Sequence, residues 1–408
     1  MHEYGTSQPQ KGATGDLGLL VSGNVVSALG NAVYLIAVTL LLKDMTGSAF
    51  MLGLFQFLAL SPGFILSPVT GVIVDRLSRR SIIIVSDFAR AVLMIIAGIA
   101  LTVPAFRVPW FVLSVAFLAG FGHALFVPAI HALLPEIVPP NRLQSATGIR
   151  AAGSQLAGLA GNAAGGALYV LLGGPLLFIF NGITFFASAI QELFIRGGRK
   201  PASYGVTQSV FTMAREGLRS VVQDRPLQTF LISQGGLFLI SPFLVVALPF
   251  LVIDELGLPQ TALGLYFAAA LAGGILAFTV LQRISRAALL TKSLHGVAYL
   301  GLGVAFAAAG ISPGPGLLLV VAIVSGAAAG TVYLVTISWI QSRCDPRLHG
   351  RLYAILEAGN SAIAPVGYLV AGILLEIPGA RHRSMIFIVI AGIALVWGLV
   401  MVAYRSRY

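Results

Sequence analysis

Charge is scarce in this chain. Only 10% of its 408 residues are charged and 57% are hydrophobic, with a mean hydropathy of +0.93. A soluble globular domain carries roughly 25% charged residues, so an ordinary soluble fold is excluded. Cysteine is scarcer still. Cys344 stands alone, which rules out an intrachain disulfide and a cysteine-based metal cluster. No strand-period alternation is visible, which removes a β-barrel. There is no P-loop, no His-Glu-x-x-His and no pair of acids at membrane depth. Ser154 and Ser361 lack a local partner, so a membrane enzyme is only a remote alternative and no cofactor or metal is expected. Residues 1–16 lack the basic, apolar and cleavage-site pattern of a signal peptide, so the first apolar run is expected to stay as structure.

What remains is an all-α membrane protein, because only helices satisfy their own backbone in lipid. Apolar runs fall at about 17–42, 49–74, 81–103, 109–134, 143–171 and 175–195, and again at 227–253, 261–282, 288–311, 315–340, 350–376 and 384–404. Each exceeds the ~20 residues that cross a hydrocarbon core. The expected organisation is a tail (1–16), a six-helix bundle (17–195), a polar linker (196–226), a second six-helix bundle (227–404) and a short tail (405–408). Within the linker, Phe211, Ala214, Leu218 and Val221 recur at helical spacing, predicting an amphipathic helix over 210–222.

The balance is strongly basic, net +11 with a pI near 10.1. The basic residues sit in short segments between apolar runs, which is a topology signal and not a nucleic-acid footprint. With the amino terminus inside, 21 of the 25 lysines and arginines fall on the cytoplasmic side, leaving Lys43, Arg107, Arg381 and Arg383 outside. Twelve spans then place both termini in the cytoplasm. The halves also echo one another: Arg142, Leu143 and Gly158 match Arg351, Leu352 and Gly367 at a constant offset of 209. Residues 71–80 fall opposite 281–290, where Arg283 and Arg286 look like an eroded copy.

One turn, Gly71-x-x-x-Asp75-Arg76-x-x-Arg79-Arg80, concentrates an acid and three arginines between two spans. Gly71 and Asp75 lie one helical turn apart on one face. This motif resembles the signature loop between the second and third helices of the major facilitator superfamily. The resemblance implies parallel six-helix halves and a latch in which Asp75 faces the start of the eleventh helix near Gly350-Arg351, holding an outward-facing state. Leu134-Pro135-Glu136, Phe178-x-x-Asn181-x-x-Thr184-Phe185, Glu216-Gly217-Leu218 and Asp224-Arg225-Pro226-Leu227 are similar to the macrolide-efflux and enterobactin-exporter branch. Gly158-Leu-Ala-Gly161-Asn162-Ala-Ala-Gly165-Gly166 resembles the glycine-rich antiporter motif of drug exporters, with Asn162 where proline is usual. Its glycines are expected to let the fifth helix slide against a helix of the other half.

Polar side chains at membrane depth should face a cavity. Asn24, Ser27, Asn31 and Tyr34 recur every three or four residues along the first span. Gln56, Gln155, Asn181, Ser233, Gln234, Tyr266, Thr331, Tyr333, Thr336 and Asn360 are further candidates, each weighed against plain helix-to-helix hydrogen bonding. Asp87 and Arg90 are expected to pair near the latch. Arg150 and Glu357 occupy nearly corresponding places in the two halves, as either a gate salt bridge or, for Glu357, a protonatable coupling site. Glu192 is expected at the membrane interface. His123, His131 and His295 are expected as packing histidines. No acid stands in the middle of the first or fourth span, so coupling runs through Glu357 or a histidine, or does not use protons in the usual way. The absence of a central arginine or lysine disfavours small anions. The expectation is a monomeric exporter of amphipathic small molecules in a bacterial cytoplasmic membrane; a lysophospholipid transporter of the same fold is the alternative.

Overall fold

The computed structural model describes residues 13–197, 221, 224–284, 292–311, 314–344, 349–377 and 380–403; the side chains at positions 71, 75, 351 and 357 lie outside that description. The expected linker helix over 210–222, apart from Val221, and most of the second-half copy over 281–290 also lie outside the described residues. The described residues form eleven α-helices and no strand. They are α1 (Ala13–Thr46), α2 (Ala49–Arg76), α3 (Arg79–Ala100), α4 (Pro109–Ile137), α5 (Leu143–Leu193) and α6 (Arg225–Pro249), the last continued by a π-helical turn at Phe250–Glu255. After these come α7 (Gln260–Leu281), α8 (Lys292–Ile311), α9 (Pro315–Arg343), α10 (His349–Leu375) and α11 (Ala380–Ala403).

Local chemistry sets the starts. The Ser48 hydroxyl accepts from the Met51 amide at 3.1 Å, and the Asp224 carboxylate accepts from the Leu227 amide at 3.0 Å, satisfying amides that a helix start leaves orphaned. Asp224-Arg225-Pro226-Leu227 is thus a helix cap followed by a first-turn proline, and Leu227 is buried against Ile340 and Leu352. Pro109 and Pro315 open α4 and α9 in the same way.

The 51-residue α5 is two spans, not one. At Gly173 the backbone adopts φ 76° and ψ 164°, a region open in practice only to glycine. Before the break, Gly153 lies against Val25, Gly161 against Leu29 and Ala32, and Gly165 against Ile36, so the first arm rises alongside α1. After it, Gly174 meets Leu41, Thr184 meets Gly30 and Ser188 meets Gly23, so the second arm returns down the same helix. Among the described residues, ten helices are apolar and long enough to cross a bilayer, with α5 counted once, and 359–375 forms a shorter apolar helix. This is compatible with twelve crossings. The outer faces carry bare Val85, Leu171, Val304 and Ile311, the apolar exterior that lipid covers.

The two halves repeat one packing scheme. In the first, α1 packs on α5, α3 on the second arm of α5, and α2 and α3 on α4. In the second, α6 packs on α10, α8 on α11, and α7 and α8 on α9. The register of this repeat differs from the 209-residue offset. Gly161 packs on α1 as Gly367 packs on α6, while Gly166 and Gly372 both meet the opposite half. These pairs are 206 residues apart, as are the helix starts Pro109 and Pro315 and Leu143 and His349. Gly158, by contrast, faces Leu271 of the other half, so it is not the spatial partner of Gly367.

Gly173→Ala should strain the α5 reversal by about 1–3 kcal/mol. The expected outcome is a lower melting temperature in detergent with an unchanged helical circular dichroism spectrum; an unshifted melt would mean the reversal tolerates a side chain.

Candidate functional site

The halves meet along two glycine-lined seams. In one, a Cβ at Gly372 would sit 3.0 Å from the Ala49 carbonyl oxygen and 3.1 Å from the Gly53 Cα. In the other, a Cβ at Gly166 would sit 2.7 Å from the Gln260 carbonyl oxygen, and Gly264 faces the Asn162 carbonyl. No side chain larger than hydrogen fits such an approach. The antiporter-like motif therefore divides between two faces of α5. Gly158, Asn162 and Gly166 face the other half, whereas Gly161 and Gly165 pack on α1 of their own half. The expectation of a cross-half slide holds for the first set, not the second.

Both seams converge at the end of the bundle opposite the arginine-rich loop, here called the distal end, where a polar clasp joins the halves. Lys43 Nζ lies 2.6 Å from Asp254 Oδ1. Gln260 Nε2 donates to both Asp44 oxygens, at 2.9 and 3.2 Å, and Tyr169 donates to Asp44 Oδ2 at 2.7 Å. Glu376 at the end of α10 reaches the start of α2, where Oε2 accepts from Ser48 Oγ at 2.9 Å and from the Phe50 amide at 2.8 Å. That is a carboxylate on a helix amino terminus, with both the orphan amide and the dipole in its favour. Arg383 faces Glu255 at 3.2 Å, and Lys43 and Arg383 both stand over the Phe250 ring. The Asp254 side chain is 43% exposed, so its ion pair is worth no more than about 1 kcal/mol.

Between the clasp and the basic end lie the polar residues singled out for a cavity. Asn24, Asn31, Gln56, Thr331, Tyr333 and Asn360 are partly accessible and Gln155 is exposed. Several are engaged within the bundle. Asn24 Oδ1 accepts from Ser154 at 2.6 Å and from Arg150 at 3.5 Å, and Asn31 accepts from the buried Asn181 at 3.5 Å. Others are withdrawn. Ser27, Tyr34, Ser233, Gln234, Tyr266 and Thr336 are all buried. Tyr34 packs edge-on against Phe178, Tyr266 donates to the Pro315 carbonyl at 3.1 Å, and Ser27 donates to the Asn24 carbonyl at 3.2 Å. His295 is buried against Thr336, while the side chains of His123 and His131 are partly open at the surface of α4.

At the basic end, Arg79 pairs with Glu136 of α4, and Arg80 donates to the carbonyls of Glu192 and Leu193 where α5 ends. Both arginines thus tie α3 to its own half, and Arg76 is exposed. Asp87 and Arg90 pair as expected. Glu192 is not interfacial: it is 1% exposed and lies beside that pair. The Phe178-x-x-Asn181-x-x-Thr184-Phe185 signature is buried throughout, because these residues face α1 and α3 and not lipid.

Sequence reasoning missed the clasp. Asp44, Asp254, Glu255 and Glu376 are four of the chain's fourteen acids, and all fall at span ends on the side poorest in arginine. That clustering was the available signal.

A profile described as Major Facilitator Superfamily matches residues 20–294. The chain belongs to the major facilitator superfamily. Among curated relatives, macrolide efflux protein A of Streptococcus pyogenes is 24% identical over 375 residues, covering 88% of this chain and 89% of its own. The multidrug efflux pump Tap of Mycolicibacterium fortuitum is 27% identical, covering 90% of each. Solved structures share the fold. The nucleoside transporter NupG superposes with a TM-score of 0.76 at 13% identity over 96% of this chain and all of that one. A bacterial homologue of the iron transporter ferroportin, in an inward-facing state, does so at 0.74 and 16% over 98% and 100%. This major facilitator protein is a membrane transporter and not an enzyme.

Glu376→Gln should loosen the distal clasp, because an amide loses the charge that favours the α2 amino terminus, an effect of about 0.3–2 kcal/mol. Burial, with Asp224 nearby, pushes the Cys344 thiol up, and Cys344→Ser gives a clean background for labelling. In that background an Ala49→Cys probe, buried at the seam, should react several-fold faster with maleimide when Glu376 is Gln. An unchanged rate would assign closure to the glycine seam alone.

Proposed function

We propose that this transporter exports amphipathic small molecules from the bacterial cytoplasm by alternating access. The observation that carries the reading is the distal clasp above a belt of accessible polar side chains. Two apolar halves are held together at one end, and Asn24, Asn31, Gln56, Gln155, Thr331, Tyr333 and Asn360 lie between that end and the basic one. A neutral or cationic cargo suits a belt of amides and hydroxyls. The efflux names of the relatives support export. The arginine-rich end is assigned to the cytoplasm on the 21-to-4 division of basic residues, so the clasp closes the outer mouth and both termini are cytoplasmic. The chain acts as a monomer, organised as bundles over 17–195 and 227–404 joined by the linker.

Two gates follow, one at each end of the seam between α2 and α10. The outer gate is Glu376 on the start of α2. The inner gate is the Gly71–Arg80 loop, with Asp75 set against the start of α10, engaged when the outer gate opens. Protons provide the drive, with Glu357 of α10 as the coupling acid in the cavity.

A panel containing a macrolide and an amphipathic cation, assayed in proteoliposomes with an imposed pH gradient, tests export. Saturable, gradient-stimulated flux is expected, and Asn31→Ala should weaken it about tenfold, the equivalent of about 1.4 kcal/mol in binding. Full gradient-driven flux in Glu357→Gln would remove Glu357 from coupling, and no flux of any amphipathic cargo would overturn the reading. Asp75→Asn should leave the fold intact and raise the cytoplasmic accessibility of cysteines placed along α10; unchanged accessibility would remove the inner latch.

A further inference from the structure

Away from the seam between the halves, α3, α4 and the second arm of α5 close on a cluster of charges. Asp87 is 0%, Arg90 4% and Glu192 1% exposed. The Arg90 guanidinium binds Asp87 Oδ1 through Nη2 and the Ser86 carbonyl through Nε at 3.3 Å. It lies 4.7 Å from the Phe126 ring centroid and 4.3 Å from that of Phe185, the stacking that suits a planar cation. Gly122 of α4 makes room for its stem, since a Cβ there would fall 2.8 Å from Arg90 Cγ. Glu192 sits within electrostatic reach of both Asp87 and Arg90. Ser188 stands within reach of both carboxylates, but its hydroxyl has one proton to donate and can serve only one of them, and neither Asp87 Oδ2 nor Glu192 Oε2 has a well-aligned donor.

The charges do not balance. Two carboxylates face one guanidinium, leaving one negative charge in excess. Among the described residues, Arg90 is the one cation set against the two carboxylates. Arg80 donates to the backbone carbonyls of Glu192 and Leu193. His123 of α4 is a further titratable group toward Arg90. On the α1 side, Ser188 meets Gly23, and Gln191 bonds Ser22 at 2.8 Å. A lone carboxylate in so apolar a setting is neutralised by a proton more readily than it is kept charged. Asp87 Oδ2 and Glu192 Oε2 are also acceptors to which a carboxylic O–H could donate.

We propose that Asp87 and Glu192 hold a single proton between them, which makes this triad a proton-binding site inside the amino-terminal bundle. The proton comes from water at the basic end, since Glu192 lies in the last turn of α5, just before exposed Leu193, Phe194 and Arg196. It forms an O–H bond on one carboxylate, and its departure leaves both acids competing for Arg90. Arg90 is packed against Phe126 and Phe185, so that competition acts on the contacts between α3, α4 and α5. As a second element of the drive alongside Glu357, the site rests on the proton-coupled exporter reading; as a proton site, it stands apart from it.

Charge counting makes the test specific. Full-length protein in lipid nanodiscs is titrated by infrared difference spectroscopy, which reads the carbonyl stretch of a neutral carboxylic acid. Wild type should show, beside any band of Glu357, one such band that disappears at high pH. Glu192→Gln and Asp87→Asn should each abolish it, because either variant leaves one acid for one guanidinium. Arg90→Gln should strengthen it, because two acids then lack a cation. Glu357→Gln should leave it unchanged. A wild type without the band, sodium replacing the proton as the titrant, or a band that survives both Glu192→Gln and Asp87→Asn would each overturn the proposal. Should one of these two variants fail to fold, the other carries the same prediction. In proteoliposomes, Glu192→Gln should keep cargo exchange and lose stimulation by a pH gradient. A titrating band without amphipathic transport would sink the exporter and keep the proton site; transport with the band absent would do the reverse.

Discussion

A charge inside a bilayer must be paired, hydrated or neutralised, and that constraint orders this molecule. The chain carries only fourteen acids, and those described are concentrated at three places. The distal clasp, open to water at one edge, holds Asp44, Asp254, Glu255 and Glu376. The basic end holds Glu136 on Arg79 and Asp16 on the amides of Arg196 and Gly197 at 3.1 and 3.0 Å. Between these ends, a single buried cluster keeps Asp87, Arg90 and Glu192 out of contact with lipid.

Glycine supplies the complementary half of the design. Lipid offers no hydrophobic force to press two helices together, so association depends on close packing and hydrogen bonds. The glycine seams bring backbones into contact where the halves must meet, and the clasp adds hydrogen bonds at one end of those seams. The contacts between the halves combine glycine seams, polar groups at the distal end and apolar side chains of a cluster shared by both halves. Within each half, α1 packs along α5 and α8 along α11.

The family signatures acquire physical content in this setting. The aspartate before α6 is a helix cap, the glutamate closing α4 is the counterion of the loop arginine, and the asparagine and phenylalanines of the sixth span are helix-to-helix contacts. Of these, only Asn181 touches the proposed cargo belt, through its contact with Asn31. Most of these signature residues therefore serve the scaffold.

Composition and run length alone determined the membrane class, the helical architecture, the two-half layout and the charge asymmetry, because each depends on what lipid forbids and not on who packs against whom. The pairing of Asp87 with Arg90 was also legible, being one helical turn apart. Which face a residue presents was not. Asn31 and Tyr34 share a stripe, yet one is partly accessible and the other lies in the core. Gly161 and Gly166, five residues apart, serve different halves, and the repeat register shifts from 209 to 206 once faces are compared. Glu192 sits more than a hundred residues from Arg90 and Glu376 more than three hundred from Ser48. Only tertiary structure decided those partnerships, because helical periodicity fixes an angle around one axis but carries no information about which helix stands across from it.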